Sequence, residues 1–229
     1  MIPSNEKKAD YVRDLFGRLA SRYDVMNRLM TGGQDVRWRQ AVIRRARLTS
    51  GAYLLDLGAG TGDLGREALR QIPDSLPVAA DFTLEMMRVG RGRAALRWTA
   101  ADALQLPFPN EAFEAAVSGF LMRNVTDVQQ ALSEQFRVLK PGGRIVILDT
   151  TRPKKNLLWP FIWLHLHLVI PFLGWLIAKD RAAYRYLTES TENFLRAEDL
   201  GARLAVVGFQ KVEFQRLMFG TIAIHWAEK

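Results

Sequence analysis

The chain has no cysteine and only three histidines among its 229 residues. The first absence excludes disulfides, iron–sulfur clusters, thiolate zinc sites and every mechanism built on a thiol nucleophile. The second leaves few metal ligands: His165 and His167 sit two apart in an apolar stretch with no acidic residue close in sequence, so no metal site is expected. Residues 1–18 lack an apolar stretch followed by small residues, which leaves no visible secretory signal and points to a cytoplasmic protein. Internal repeats and low-complexity tracts are also missing.

What is present is enough for a sizeable core. Hydrophobic residues make up 48% of the chain and charged residues 24%, which excludes global disorder, and the length suits one domain spanning residues 1–229. The net charge of +8 is concentrated: residues 1–50 hold eleven Lys or Arg against five Asp or Glu. Such a segment suits an anionic surface or a solvated helix face. From Leu157 to Ala178 there is no charged residue, yet Pro160 and Pro171 interrupt the stretch and its flanks belong to one sheet. It therefore reads as a buried or interfacial helical insert rather than a span.

Apolar spacing predicts helix over 10–23 (Tyr11, Leu15, Phe16, Leu19, Tyr23) and over 35–47, which form an N-terminal helical lid within 1–50. Strand and helix patterns then alternate through 51–151, which implies an α/β fold with a mainly parallel sheet. Lys140-Pro141-Gly142-Gly143 predicts a turn into a strand at 143–150. The insert occupies 152–195, and 196–229 closes the chain with a helix and an antiparallel strand pair.

The strand at 52–57 ends in Asp56 and runs through Gly58, Gly60 and Gly62 into a helix, a loop suited to a nucleotide-like ligand at a helix N-terminus. A dinucleotide fingerprint needs its third glycine where Asp63 stands, so NAD fits poorly. Asp81 ends the next strand, where a carboxylate accepts from ribose hydroxyls, and Asp102-Ala103 follows the third strand. Three acids at successive strand ends resemble the S-adenosylmethionine site of Rossmann-like methyltransferases. In that pattern Asp56, Gly58, Gly60, Thr61, Asp81, Asp102, Ala103 and Gly119 bind the cofactor.

The match goes further at Phe16 to Trp38 (FGRLASRYDVMNRLMTGGQDVRW), Leu55 to Leu64 (LDLGAGTGDL), Ala101 to Pro109 (ADALQLPFP), Arg123 to Asp127 (RNVTD), Arg137 to Gly143 (RVLKPGG), Ala178 to Ser190 (AKDRAAYRYLTES) and Ala223 to His225. On these motifs the chain resembles the ubiquinone/menaquinone biosynthesis C-methyltransferase family over nearly its whole length. The resemblance implies methyl transfer from S-adenosylmethionine to a ring carbon of a polyprenyl hydroquinone, demethylmenaquinol before the benzoquinol, by an enzyme that docks peripherally on an anionic membrane. It is compatible with a homodimer. The resemblance makes Arg123, Asn124 and Tyr23 the catalytic residues. Because an arginine side chain stays charged, Arg123 stabilises the developing phenolate rather than taking its proton, while Asn124 and Tyr23 orient the ring hydroxyls. His225 reads as a packed strand residue.

The chain departs from the family pattern at three places. Gly119 stands where a serine is usual, with Ser118 adjacent; Leu121 replaces a glycine beside the methyl site; Asp149 replaces a glutamate. Two other readings share the fold. A nucleic-acid methyltransferase suits the basic charge but lacks here both the cysteine nucleophile and the Pro-Pro-aromatic motif, and a non-catalytic S-adenosylmethionine-binding protein predicts binding without turnover.

Overall fold

The computed structural model describes residues 5–93, 95–152, 159–169 and 181–229. Pro171 therefore lies outside the described residues. Three helices come first: α1 (Asn5–Leu19), α2 (Tyr23–Met30) and α3 (Gln34–Ala46). The alternating core follows as β1 (Tyr53–Leu57), α4 (Asp63–Gln71), β2 (Leu76–Asp81), α5 (Leu84–Arg91), β3 (Arg97–Ala100), β4 (Phe113–Gly119), α6 (Val128–Val138) and β5 (Leu139–Thr150). Then come α7 (Trp159–Leu164), which runs into a π-helical turn at His165–Val169, α8 (Arg181–Asn193), α9 (Ala197–Val207), β6 (Gln210–Leu217) and β7 (Ile222–Glu228).

The seven strands form one sheet in the order β3-β2-β1-β4-β5-β7-β6. β1 to β5 are parallel, and β7 runs antiparallel to both β5 and β6. This is the α/β, Rossmann-like architecture expected from the alternation of patterns. Successive strand residues feed opposite faces. Leu55, Ala116, Ile145 and Ile147 pack under α6 and α9 with Leu132, Leu200 and Leu204, while Leu54, Ala115, Val117 and Val146 pack under α3 and α4 with Trp38, Val42, Ile43 and Leu64. Both faces are covered, which is why the central strands read as continuous apolar runs.

Two local expectations are corrected. The predicted helix over 10–23 breaks at 20–22, because Arg22 opens a separate helix, α2, that carries the YDVMN motif. The turn expected at Lys140–Gly143 is a bulge inside β5: the ladder slips from Phe113↔Leu139 to Ala115↔Arg144, and the chain end closes the bulge, with Gly142 N–H donating to the Lys229 carbonyl at 2.9 Å and Lys229 N–H to the Gly143 carbonyl at 2.9 Å. Pro160 lies in the first described turn of α7.

Candidate active site

In a parallel sheet the strand ends open toward the following helices, and ligands settle in that crevice. Here the carboxyl ends of β1, β2 and β4, together with α1 and α2, line a cleft of about 910 Å³, a volume that includes solvent at its open mouth. The Gly58–Gly60 turn forms its floor, and Phe16, Tyr23, Phe120 and Leu121 contribute to its walls.

The loop geometry requires glycine. Gly58 and Gly60 have φ of +65° and +57°, and a Cβ on Gly58 would lie 2.8 Å from Leu121 Cδ1. Asp56 and Asp81 hold this loop from beneath. Asp56 Oδ2 accepts from Gly65 N–H at 2.8 Å, and its Oδ1 is buried with no partner. Burial pushes the Asp56 carboxyl up to about 7, with the Gly65 N–H opposing. Asp81 accepts from Gly60 N–H at 2.7 Å and from Thr83 N–H at 2.7 Å; burial raises its pKa and these donors pull it back.

The N-terminal helices clamp the same loop. Thr61 Oγ1 donates to Asp24 Oδ1 at 2.8 Å, Asp24 pairs with Arg93, and Arg39 pairs with Asp63 at 2.8 Å. Arg39 and Asp63 line the cleft. None of these contacts is local in sequence, and the sequence gives no signal for Asp24 beyond its place in the Phe16–Trp38 motif and none for Arg39, which follows that motif.

Of the residues expected at the cofactor, Asp56, Gly58, Gly60, Thr61, Asp81, Ala103 and Gly119 line the cleft, as does Tyr23. Asp102 does not: it is exposed, and its Oδ1 accepts from Leu104 N–H at 2.9 Å, the ordinary work of an Asp in a turn. Arg123 and Asn124 stand behind the lining residues Phe120 and Leu121, both buried at 8% exposure. Arg123 Nη1 donates to Asp149 Oδ1 at 3.1 Å and its guanidinium lies over the Phe120 ring, 5.1 Å from the centroid, while its Nε has no partner. Asn124 Nδ2 donates to the Phe120 carbonyl at 2.8 Å, and its Oδ1 accepts from the Tyr186 hydroxyl at 3.0 Å. Tyr186 was not singled out from sequence, although it lies inside the Ala178–Ser190 motif.

Electrostatics tie this group together. Burial pushes the Tyr23 phenol up, and Arg123 is the largest influence opposing it. Burial likewise pushes Tyr186 up to about 12, so both phenols are protonated donors at neutral pH. The Asp149 carboxyl is also raised by burial, against the pull of Arg123. Among the departures from the family pattern, Ser118 is fully buried with its hydroxyl unpartnered and lies outside the lining, whereas Leu121 forms part of the wall.

His167 and His225 behave as structural groups. His225 is buried on β7, its Nε2 donates to the Ala197 carbonyl at 2.8 Å, and burial lowers its pKa to about 4. His167 stacks on Trp163 with centroids 4.8 Å apart, and the expectation that it has no acidic neighbour is corrected: Glu192 of α8 approaches its Nε2 to 3.5 Å. No cluster of three metal-ligating side chains occurs among the described residues.

The glycine loop, the paired acids at strand ends and the helical cover are matched along the chain by the model of the ubiE/COQ5 methyltransferase family, over residues 2–229. The chain belongs to that family. It is 43% identical to the ubiquinone/menaquinone biosynthesis C-methyltransferase UbiE of Desulfotalea psychrophila, over 97% of this chain and 92% of that protein. It is 40% identical to the demethylmenaquinone methyltransferase of Thermus thermophilus, over 94% of this chain and 100% of that protein. Among solved structures, phosphoethanolamine N-methyltransferase 2 of Haemonchus contortus in complex with S-adenosyl-L-methionine superposes with a TM-score of 0.64 at 14% identity, covering 84% of this chain and 52% of that one. At that identity the likeness concerns the fold. This ubiE/COQ5 methyltransferase uses S-adenosylmethionine to methylate a precursor in quinone biosynthesis.

Proposed function

We propose that the enzyme methylates a ring carbon of demethylmenaquinol in preference to the corresponding benzoquinol, with Arg123, Asn124 and Tyr23 forming the acceptor side of the site. One observation carries this reading: beside an apolar cleft, Arg123 keeps a buried Nε–H without a partner. An unsatisfied buried donor is costly, and an oxygen of the acceptor ring that gains negative charge as carbon attacks would satisfy it.

The residues present fit the cofactor. Asp56 Oδ1 is an orphaned buried acceptor suited to an ammonium group, the Gly58–Gly60 backbone lines the cleft, Asp81 ends β2 where a carboxylate in such folds accepts from ribose hydroxyls, and Ala101 and Ala103 offer an apolar bed for a base. When bound, S-adenosylmethionine supplies an electrophilic methyl group on a sulfonium. The protein's share is to hold the ring carbon in line, where positioning supplies much of the rate. Tyr23, protonated at neutral pH, donates to a ring oxygen, and Asn124 sets the loop that carries Arg123. The Phe16, Phe120 and Leu121 walls favour the larger fused ring, because an added apolar ring buries more surface.

The prenyl tail implies an approach from lipid. No helix among the described residues is long and apolar enough to cross a membrane. Around α7, Trp163, Leu164, Leu168 and Val169 are exposed, and with the basic N-terminal segment they suit peripheral docking on an anionic bilayer. Trp163→Ser with Leu168→Ser should weaken sedimentation with anionic vesicles, and unchanged binding would remove the docking role.

The test of function is transfer of a labelled methyl group from S-adenosylmethionine to reduced demethylmenaquinone or to the reduced benzoquinone analogue in detergent, with Arg123→Ala as control. Faster turnover of the naphthoquinol, lost in the variant, is expected; equal or preferential turnover of the benzoquinol would overturn the preference.

A further inference from the structure

The segment that carries Arg123 and Asn124 is held from outside the sheet. Lys8 of α1, more than a hundred residues away in sequence, donates from Nζ to the Arg123 carbonyl at 3.1 Å and to the Val125 carbonyl at 2.9 Å. The amine is half-buried, and burial lowers its pKa while Asp149 opposes that shift. A lysine gives up solvation and rotamer freedom to sit there, and it serves two carbonyls that have no partner in a helix or strand.

Lys8 shares a helix face with the cofactor cleft. Val12 and Phe16 follow it at successive intervals of four residues, and both line the cleft opposite the glycine loop. Residues spaced by four on a helix stack along one side. The helix face that meets the cofactor is therefore continuous with the lysine that meets the acceptor loop. Three residues on from Lys8, Tyr11 of the same helix contacts Tyr186, with centroids 5.4 Å apart, and Tyr186 donates to Asn124.

We propose that Lys8 is a positioning residue that makes the acceptor site conditional on the cofactor: filling the cleft against Val12 and Phe16 seats α1, and Lys8 then fixes the Arg123–Val125 backbone so that the guanidinium, on the loop that Asn124 sets, faces the acceptor. This rests on the roles given above to Arg123 and Asn124. It makes binding ordered, cofactor first, and leaves the acceptor loop loose in its absence. A ligand shifts such an equilibrium only through contacts that differ between the two states, and α1 supplies those contacts.

The experiment is hydrogen exchange on the full chain with and without S-adenosylhomocysteine, which needs no acceptor and so stands apart from the identity of the quinol. In the native protein the ligand should protect amides of α1, of the β1–α4 loop and of residues 120–127. In Lys8→Met protection of the first two should remain while that of 120–127 is lost, and acceptor turnover should fall by about tenfold or more while the cofactor weakens only by the lost coupling, since small misplacements of a reacting group are costly. Lys8→Arg, which retains charge and donors, should restore both. Persistence of the protection at 120–127 in Lys8→Met would overturn the proposal. If α1 itself loses protection in Lys8→Met, Lys8→Arg decides: recovery in both segments supports the coupling, and recovery in α1 without 120–127 overturns it.

Discussion

Asp149 engages Arg123 twice: Oδ1 accepts from the guanidinium at 3.1 Å and Oδ2 accepts from the Arg123 backbone N–H at 3.2 Å. One carboxylate thus fixes both the side chain and the chain path of the residue proposed to meet the acceptor, at the end of a central strand where neither partner exceeds 8% exposure. Thr150 N–H adds a third donor at 2.7 Å. The aspartate that replaces the family's usual glutamate therefore has a full set of partners, and its shorter side chain keeps the guanidinium close to β5.

Asp149→Asn keeps the shape and removes the charge, which leaves a buried guanidinium without its counter-ion. Breaking such a pair costs about 3 kcal/mol or more, and in a chain of this size each kcal/mol lowers Tm by roughly 2 to 4 °C. Thermal unfolding of the variant should show a fall of about 6 °C or more, and methyl transfer should drop by about a hundredfold, as for loss of an oxyanion donor. Transfer at the native rate would show that Arg123 needs no anchor.

Asp56 gives the cofactor site a pH dependence. Burial raises its carboxyl to about 7, so below that pH it is largely protonated. A cationic amino group at the orphaned Oδ1 favours the carboxylate, so binding expels the proton. Affinity for S-adenosylmethionine should then rise with pH by up to about tenfold per unit below 7 and level off above it. Calorimetry between about pH 5.5 and 7.5 should show this slope in the native chain and a flat profile in Asp56→Asn. A native profile that is already flat would remove Asp56 from contact with the amino group.

The glycine loop was legible because everything that defines it is local: a buried strand, alternating glycines, and an acid at the strand end. The mainly parallel α/β class followed from the alternation of strand and helix patterns for the same reason. Contacts across the fold were not. Asp24 with Thr61 and Lys8 with Val125 join helices to loops that only the folded sheet brings together. The break between α1 and α2 has neither Gly nor Pro at 20–22 and no side-chain cap at Arg22, so periodicity ran through it. The bulge at Lys140–Gly143 is closed by Lys229, a partner that no local window contains.

Gly90 sets how closely α5 approaches the loop. A Cβ there would fall 2.3 Å from Trp98 Cη2 and 2.8 Å from the Thr61 carbonyl oxygen, so neither the indole nor the loop backbone has room to yield. Gly90→Ala gains helix propensity but overpacks the site, at a cost of about 1 to 3 kcal/mol. A lower Tm together with weaker cofactor binding is expected, because the displaced carbonyl belongs to the cofactor loop. A gain in stability would mean that α5 can slide away from β3.

His225 separates a family-matched residue from a catalytic one. It is buried with Nε2 donating to the Ala197 carbonyl and its ring against Phe214, 5.3 Å between centroids, on the far side of β5 from β4 and outside the cleft lining. Its folded pKa of about 4 lies below the unfolded value of 6.5, so between these limits the unfolded chain binds a proton that the folded chain refuses. Its contribution is therefore full above pH 6.5 and is lost as pH falls toward 4. His225→Leu should flatten this acid limb of the Tm profile, cost stability at pH 7.5 through the abandoned Ala197 carbonyl, and leave the cofactor Kd and turnover per folded molecule unchanged. Loss of turnover in a variant that melts normally and binds cofactor would instead place His225 in the chemistry.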